Sequence, residues 1–209
     1  MSCGCEEVFS ERFARRLAKR YRKRGLDRTA RRMADFVAAH GLEGATVLEI
    51  GGGVGEIQLE LLKAGAARTT NLELSRGYDG EARKLAEEHG VADRVERRLH
   101  DIAEAPEAVE PADVVVLHRV VCCYPDYERL LGAAADHAGR LLVFSYPARN
   151  LLSRVFMTVA NLVQALLRRD FRSFTHPPEA MLAVLDRRGL SRTYEHRGRI
   201  WQIAGLERG

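Results

Sequence analysis

Short apolar runs alternate with amphipathic stretches through the middle of the chain. The apolar runs are short and rich in Val, Leu and Ile, which predicts strands. The stretches between them have the spacing of helices that bury one face. We predict strands at residues 46–50, 69–74, 95–99, 113–117 and 140–145, and helices at 56–64, 79–89 and 127–138. This alternation predicts an α/β fold whose parallel sheet is covered by helices on both faces.

The pattern changes after residue 150. Residues 151–169 predict a long amphipathic helix, and residues 179–188 predict another that ends at Gly189. Residues 191–196 and 200–206 predict a terminal hairpin. We therefore expect a main domain at residues 41–209 with a helical insertion at 150–175.

The N-terminal segment, residues 1–40, predicts a helical arm that caps this domain. Phe9, Phe13, Leu17 and Tyr21 recur every four residues and form one apolar stripe on a basic helix. A second helix is predicted at residues 27–40. Two interpretations of the stripe remain open: it packs on the domain, or residues 6–24 lie on an anionic membrane surface.

Composition narrows the class of protein. The chain has 209 residues, of which 46% are hydrophobic and 30% charged, which suits one globular domain. No apolar run of the signal-peptide type opens it, so we expect a cytoplasmic protein. The four cysteines form the pairs Cys3/Cys5 and Cys122/Cys123, without the C-x-x-C spacing of a zinc site. We expect free thiols and no metal.

The segment from residue 47 to residue 55 carries the strongest chemical signal. A strand ends in Glu49, glycines follow at Gly51, Gly53 and Gly55, and a helix begins directly afterwards. Glycines let the backbone approach a ligand closely, and the helix N-terminus offers free N–H groups. The spacing is not that of a dinucleotide site, and Glu49 would repel a pyrophosphate. The loop therefore favours a ligand that carries positive charge.

At these residues the chain resembles the class I S-adenosylmethionine-dependent methyltransferase superfamily. In that family the first strand ends in an acid that is followed by Gly-x-Gly-x-Gly, as at Glu49, Gly51, Gly53 and Gly55. The resemblance implies S-adenosylmethionine as the cofactor. It also implies a Rossmann-like, doubly wound, seven-stranded and mostly parallel sheet, completed by an antiparallel C-terminal hairpin strand.

Residues at the ends of the next strands are candidates for cofactor binding, since ligands bind at the carboxyl ends of parallel strands. Glu73 ends the second strand, beside Leu74, and can accept hydrogen bonds from both ribose hydroxyls. After the third strand, the resemblance implies that Asp101 reaches the adenine amino group and that Ile102 packs on the ring. The alternatives are a solvated acid at Glu73 and a turn-capping residue at Asp101.

The segment after the fourth strand should face the methyl acceptor. We expect His118 to border the cofactor and, with Tyr124, to be a catalytic candidate; His118 is the best placed general base. Arg119 can pair with a substrate carboxylate. Cys123, Tyr146 and Tyr21 are further candidates for substrate contact. Simple packing or structural hydrogen bonding is the alternative for His118, Arg119, Tyr124 and Tyr146.

Within the superfamily, Tyr21-Arg22-x-x-Gly25 and Tyr124-Pro125 look most similar to the small magnesium-protoporphyrin O-methyltransferases. That group often has His where this chain has Cys123. We expect methyl transfer from S-adenosylmethionine to a small, partly apolar acceptor, with O-methylation of a carboxylate or hydroxyl favoured. Two alternatives stay open: an RNA methyltransferase that uses the basic N-terminal helix, and a protein that binds the cofactor without catalysis. Nucleic acid is disfavoured because no Asn-Pro-Pro-Tyr-type loop follows the fourth strand.

Overall fold

The computed structural model describes residues 8–209. Cys3, Cys5 and the first residues of the arm lie outside this range, so the predictions made for them are not addressed. A seven-stranded sheet forms the centre of the described chain, in the order β3-β2-β1-β4-β5-β7-β6. Its strands are β1 Thr46–Ile50, β2 Arg68–Glu73, β3 Val95–Leu99, β4 Ala112–Leu117, β5 Ala138–Pro147, β6 Leu190–Arg197 and β7 Trp201–Arg208.

The first five strands pair in parallel, and β7 pairs antiparallel with both β5 and β6. The predicted fold class is therefore confirmed, including the antiparallel hairpin at the C-terminal end. Strand β4 shows why the prediction works: Val114, Val115, Val116 and Leu117 are all fully buried, as expected for a strand covered on both faces.

Helices pack on both faces of the sheet. They are α1 Glu11–Arg24, α2 Arg28–Ala39, α3 Glu56–Lys63, α4 Asp79–Glu88, α5 Tyr127–Asp136, α6 Leu151–Leu166 and α7 Pro178–Asp186. Their bounds differ from the predicted ones by at most three residues. Helix α6 ends earlier than expected because Arg168 adopts the left-handed conformation, with φ of 55°, just beyond the C-cap Leu167.

The arm packs on the domain by its apolar side. Ala14, Ala18 and Tyr21 of α1 are buried, and Phe9 and Leu17 pack against the same core cluster. Ion pairs between Arg22 of α1 and the α4 acids Glu81 and Glu88 reinforce the contact, with distances of 3.2 and 2.7 Å. Three residues of the apolar stripe, Phe9, Leu17 and Tyr21, thus pack on the domain, while Phe13 is exposed.

No helix in residues 8–209 has both the length and the apolar character needed to cross a bilayer.

Candidate active site

A cavity opens at the carboxyl ends of β1, β2, β3 and β4. It lies where the strand order reverses between β1 and β4, which is the usual ligand crevice of an open parallel sheet. Its empty space is about 1180 Å³, counting the open mouth. The arm forms one wall, through Phe9, which precedes α1, and through Phe13 and Leu17 of α1. The arm therefore covers the crevice that the sheet creates.

The glycine loop after β1 forms the floor of this cavity. Gly51 has φ of 63°, and a Cβ on it would lie 2.5 Å from Cγ2 of Val120. No other residue type fits there without strain and a steric clash. The loop thus brings its backbone to the cavity at Gly51 and Gly53, whereas Gly55, with φ of 82°, is the N-cap of α3.

Glu73 at the end of β2 connects this loop to the second strand. Its Oε1 accepts a hydrogen bond from the backbone N–H of Gly53 at 2.9 Å. Its Oε2 accepts from the N–H groups of Leu74 and Ser75 at 2.8 and 3.2 Å. Burial raises the pKa of this carboxyl, while the three backbone donors oppose the rise. The carboxylate is held rigidly and still lines the cavity with both oxygens able to accept further bonds.

Two more buried acids lie on the same floor. Burial and the nearby charge of Glu56 raise the pKa of Glu49 to about 8. Burial likewise raises the pKa of Glu56 to about 7, although Arg20 opposes the rise. Oε2 of Glu56 is buried and makes no hydrogen bond within residues 8–209. These acids would be stabilised in their ionised form by a positively charged ligand.

Asp101, after β3, marks the far end of the cavity. The hydroxyl of Tyr124 donates to its two carboxylate oxygens at 3.3 and 3.0 Å. Ile102, which is fully buried, and Leu74 line the adjoining wall. This end therefore combines a hydrogen-bond acceptor with flat apolar surface, which suits a purine ring.

Another wall is built from the loop after β4, which contacts Asp27 at the N-cap of α2. Nδ1 of His118 lies 3.1 Å from Oγ of Ser145, and Nε2 lies 3.9 Å from Oδ2 of Asp27. Oδ2 of Asp27 also pairs with Nη2 of Arg119 at 2.8 Å, and the N–H of Arg119 donates to Ser145 Oγ at 2.9 Å. Burial lowers the pKa of His118. At neutral pH the imidazole is therefore neutral, and protein groups face both of its nitrogens.

Most of the predicted site residues line this one cavity: Glu49, Gly51, Gly53, Glu73, Leu74, Asp101, Ile102, His118, Arg119, Cys123 and Tyr124. Cys123 makes a thiol contact of 3.6 Å with Cys122, and this contact and burial raise its pKa, so it stays protonated at neutral pH. Both residues are free thiols, as expected, and Cys122 is buried.

Tyr21 and Tyr146 lie outside the cavity, which corrects their expected placement as pocket residues. The Tyr21 hydroxyl donates to Glu60 at 2.7 Å because the far end of α1 lies over α3. Tyr146 stacks on Phe144 with a centroid distance of 5.2 Å. Strand β5 continues beyond its predicted end, so Tyr146 points to the opposite face of the sheet from Ser145.

The sequence pattern does not reveal two residues of the cavity, Glu56 at the start of α3 and Arg20 on the basic helix. It also does not reveal the role of Asp27, which lies behind the cavity wall and contacts His118 and Arg119. An Asp at the start of a helical pattern predicts an N-cap, and in the structure the Asp27 side chain accepts hydrogen bonds from the N–H groups of Thr29 and Ala30. Its second contact, with Arg119, joins residues 92 positions apart, and no local pattern encodes it.

The acids and the glycine loop fit S-adenosylmethionine, whose sulfonium and amine are positive and whose nucleoside needs acceptors and an apolar wall. Comparison with known proteins agrees. The sequence profile of a family described as a methyltransferase domain matches residues 14–198. The chain belongs to this methyltransferase family. It therefore contains a class I S-adenosylmethionine-dependent methyltransferase domain, and S-adenosylmethionine is its cofactor.

Solved methyltransferases share the fold. The magnesium protoporphyrin IX methyltransferase from Synechocystis PCC 6803, with bound S-adenosylhomocysteine, is 22% identical and has a TM-score of 0.72. The similarity covers 87% of this chain and 82% of that one. An O-methyltransferase family protein from Burkholderia thailandensis is 21% identical with a TM-score of 0.76, over 100% of this chain and 64% of that one. At these identities the likeness concerns the fold alone.

One curated protein matches half of this chain in sequence. The ribosomal protein L11 methyltransferase of Aeromonas hydrophila is 41% identical over 104 residues, which are 50% of this chain. The matched segment spans only 34% of the length of that relative.

Proposed function

We propose that this methyltransferase transfers the methyl group of S-adenosylmethionine to a carboxylate oxygen of a small acceptor with an apolar body. One observation carries the proposal: a single cavity has the buried acids Glu49 and Glu73 on one side and Arg20, Arg119 and aromatic side chains on another, and Glu56 pairs with Arg20 where the two sides meet, with 3.3 Å between Oε1 and Nη2. The first side suits a positively charged cofactor, and the second suits an acceptor that is anionic at one end and apolar elsewhere.

On the cofactor side of the cavity, the acids have separate roles. Glu73 accepts hydrogen bonds from the ribose hydroxyls, and Asp101 accepts one from the adenine amino group while Ile102 packs on the ring. Glu49 and Glu56 supply the negative charge that a cationic ligand requires. When bound, the cofactor supplies an electrophilic methyl group on a positive sulfur.

The acceptor side is formed by Arg20 and Arg119. Each lines the cavity, and the Nε of each is buried without a hydrogen bond in residues 8–209. An unpaired buried donor is destabilising, so an acceptor carboxylate that satisfies these donors gains affinity. Phe9, Phe13 and Leu17 line the same cavity and would contact the apolar part of the acceptor.

A carboxylate acceptor also agrees with the state of His118. The Asp27 carboxylate near Nε2 favours a proton on that nitrogen, and Nδ1 then accepts from the Ser145 hydroxyl. Nδ1 is thereby occupied and Nε2 carries the proton, so neither nitrogen is free to take a proton from the acceptor, which leaves His118 as a positioning residue. Burial and the charge of Asp101 raise the pKa of Tyr124, so its hydroxyl stays protonated. A carboxylate needs no base, and these residues contribute alignment and the exclusion of water.

The test is a product analysis with S-adenosylmethionine that carries a deuterated methyl group. The acceptors are aromatic and long-chain carboxylic acids, the matched alcohols, a short RNA and a lysine-containing peptide. We expect labelled methyl esters, which mild base hydrolyses, whereas methyl ethers and methylamines are stable to it. Methylation confined to alcohols, RNA or peptide, or turnover of none of them with intact cofactor binding, contradicts the proposal.

A matched pair of variants tests the acceptor side. Arg20→Gln removes a charged hydrogen-bond donor and should raise KM for the carboxylic acid about 10- to 100-fold, as for the loss of a charged hydrogen bond. Arg16→Gln changes an exposed arginine on the same helix and should leave KM unchanged. Equal KM values for the two variants would assign the acceptor site elsewhere.

A further inference from the structure

Helix α6 presents its apolar side to solvent. The exposed fraction of Leu152 is 53%, of Phe156 48%, of Val159 53%, of Leu162 57% and of Leu166 74%. These residues follow the spacing of one helix face and are joined there by Leu151, Val155, Val163 and the adjoining Leu167, all exposed. Contiguous apolar surface of this extent marks an interaction site rather than ordinary surface.

The polar side of the same helix is the one that faces the protein. Ser153 is fully buried, and Asn161 exchanges two hydrogen bonds with the backbone of Ser173, at 2.9 and 2.7 Å. Met157 is the apolar residue of α6 that is buried. The amphipathic pattern is therefore inverted relative to a helix that packs on its own domain, so the exposed side is available to something outside it.

The charges around this helix are predominantly positive. Between residues 148 and 176 there is one acid, Asp170, and five arginines: Arg149, Arg154, Arg168, Arg169 and Arg172. None of these arginines forms an ion pair within the part of the chain that the structure describes. Arg149 precedes the helix and Arg168, Arg169 and Arg172 follow it, so both ends are basic.

This charge pattern indicates what kind of partner covers the exposed apolar side of α6. In a second copy of the chain paired through α6, either relative direction of the helices would bring arginines together at both ends, with Asp170 as the one acid of the segment to offset them. An anionic lipid surface accepts apolar side chains and attracts the arginines at the same time. We propose that α6 docks this protein, in the plane of the interface, on a membrane rich in anionic lipids.

The linker after α6 connects this surface to the cavity. Phe171 contacts Phe9, with ring centroids 5.3 Å apart, and Phe9 lines the cavity. The N–H of Phe174 donates to the carbonyl of Cys122 at 2.7 Å, beside Cys123 in the cavity wall. Docking through α6 thus places the α1 side of the cavity close to the bilayer. The docking is independent of the methyl transfer proposed above.

The experiment is co-sedimentation of the full chain with vesicles, without cofactor or acceptor. Vesicles of phosphatidylcholine alone are compared with vesicles that contain phosphatidylglycerol as well. We expect about tenfold stronger partitioning to the anionic vesicles, reduced by salt. Phe156→Asn with Leu162→Asn should abolish binding, and Arg149→Gln with Arg154→Gln should weaken it several-fold. Leu99→Asn, an exposed apolar residue on β3, and Arg16→Gln serve as matched controls.

Circular dichroism melting confirms that each variant is folded, and sedimentation velocity reports the oligomeric state. Binding that is equal on neutral and anionic vesicles, or that survives the α6 substitutions, overturns the proposal. A concentration-dependent dimer that the α6 substitutions dissociate, with no vesicle binding, also overturns it and assigns the apolar side to a second copy.

Discussion

Arg119 and Asp27 form an ion pair that ties the loop after β4 to the start of α2, with Nη2 2.8 Å from Oδ2. Asp27 is also the N-cap of α2, where its Oδ1 accepts from the N–H groups of Thr29 and Ala30 at 2.9 and 3.0 Å. One carboxylate therefore fixes both the arm and the cavity wall that the loop after β4 forms. Arg119 adopts φ of 60°, a conformation that this contact and the bond to Ser145 hold in place.

Substitution of Asp27 should separate its two contributions. Asp27→Ala removes the cap and the ion pair and should lower the free energy of unfolding by about 2 kcal/mol, of which the cap accounts for about 1 kcal/mol. Asp27→Asn keeps a capping oxygen and should lower it by less. Urea unfolding measures both values. If the two variants are equally unstable, the ion pair rather than the cap dominates, contrary to this account.

The ionisation of Asp27 gives the same contact a pH dependence. Burial acts to raise its pKa, but the contacts with His118, with the N–H of Ala30 and with Arg119 together hold the pKa below its usual range. Ionised Asp27 therefore makes its full contribution to stability above the pKa of about 4 that an Asp has in the unfolded chain, and this contribution is lost as the pH falls further. The free energies of unfolding of wild type and Asp27→Asn should therefore converge as the pH falls. A difference between them that stays constant with pH would exclude Asp27 as the titrating group.

Binding of a cationic cofactor should be linked to the titration of Glu49. Because its pKa is raised to about 8, much of this carboxyl is protonated at neutral pH, and a positive ligand lowers the pKa again. Affinity should therefore rise with pH and level off above about pH 8.

Calorimetric titration of S-adenosylmethionine at several pH values measures this linkage. Glu49→Gln should weaken binding and flatten the pH dependence relative to wild type. The ligand's own titration is common to both proteins and cancels in the comparison. An unchanged pH profile in the variant would exclude Glu49 as the linked group.

Substitution of Tyr124 distinguishes a role in orienting Asp101 from a role in the chemical step. Its hydroxyl donates to Asp101, so Tyr124→Phe should leave Asp101 less well oriented for the cofactor. We expect KM for S-adenosylmethionine to rise several-fold with little change in kcat, as for the loss of one neutral donor. A large fall in kcat at unchanged KM would instead assign Tyr124 to the chemical step.

The sequence predicts the fold and the cofactor side of the site better than the acceptor side. Glu49 and Glu73 lie at the carboxyl ends of β1 and β2, and Asp101 comes two residues after β3. Parallel strands bring their carboxyl ends to one edge of the sheet, so local patterns suffice to place these acids together. Tyr146 shows where this reasoning fails. Strand β5 extends to Pro147 because β7 pairs along it, with Gln202 opposite Tyr146, and this extra length turns the side chain away from the cavity.

The acceptor side depends on contacts between distant segments. Arg20 pairs with Glu56 at 3.3 Å, and Asp27 pairs with Arg119, and both contacts form only when the arm docks on the domain. The arm's amphipathic pattern predicts that it packs, but not which of its arginines face inward. The outward apolar side of α6 was equally hidden, since a helical period reveals an apolar face without revealing its direction.

We infer that the acids at the strand ends hold S-adenosylmethionine in the cavity, and calorimetry of its binding to wild type and to Glu73→Gln measures their contribution. Wild type should bind at one saturable site. The variant should bind about 10- to 100-fold more weakly, because a charged acceptor is lost, while Glu110→Gln, an exposed acid remote from the cavity, should bind as wild type does. Absence of saturable binding to wild type, or equal affinity in Glu73→Gln, would contradict the account.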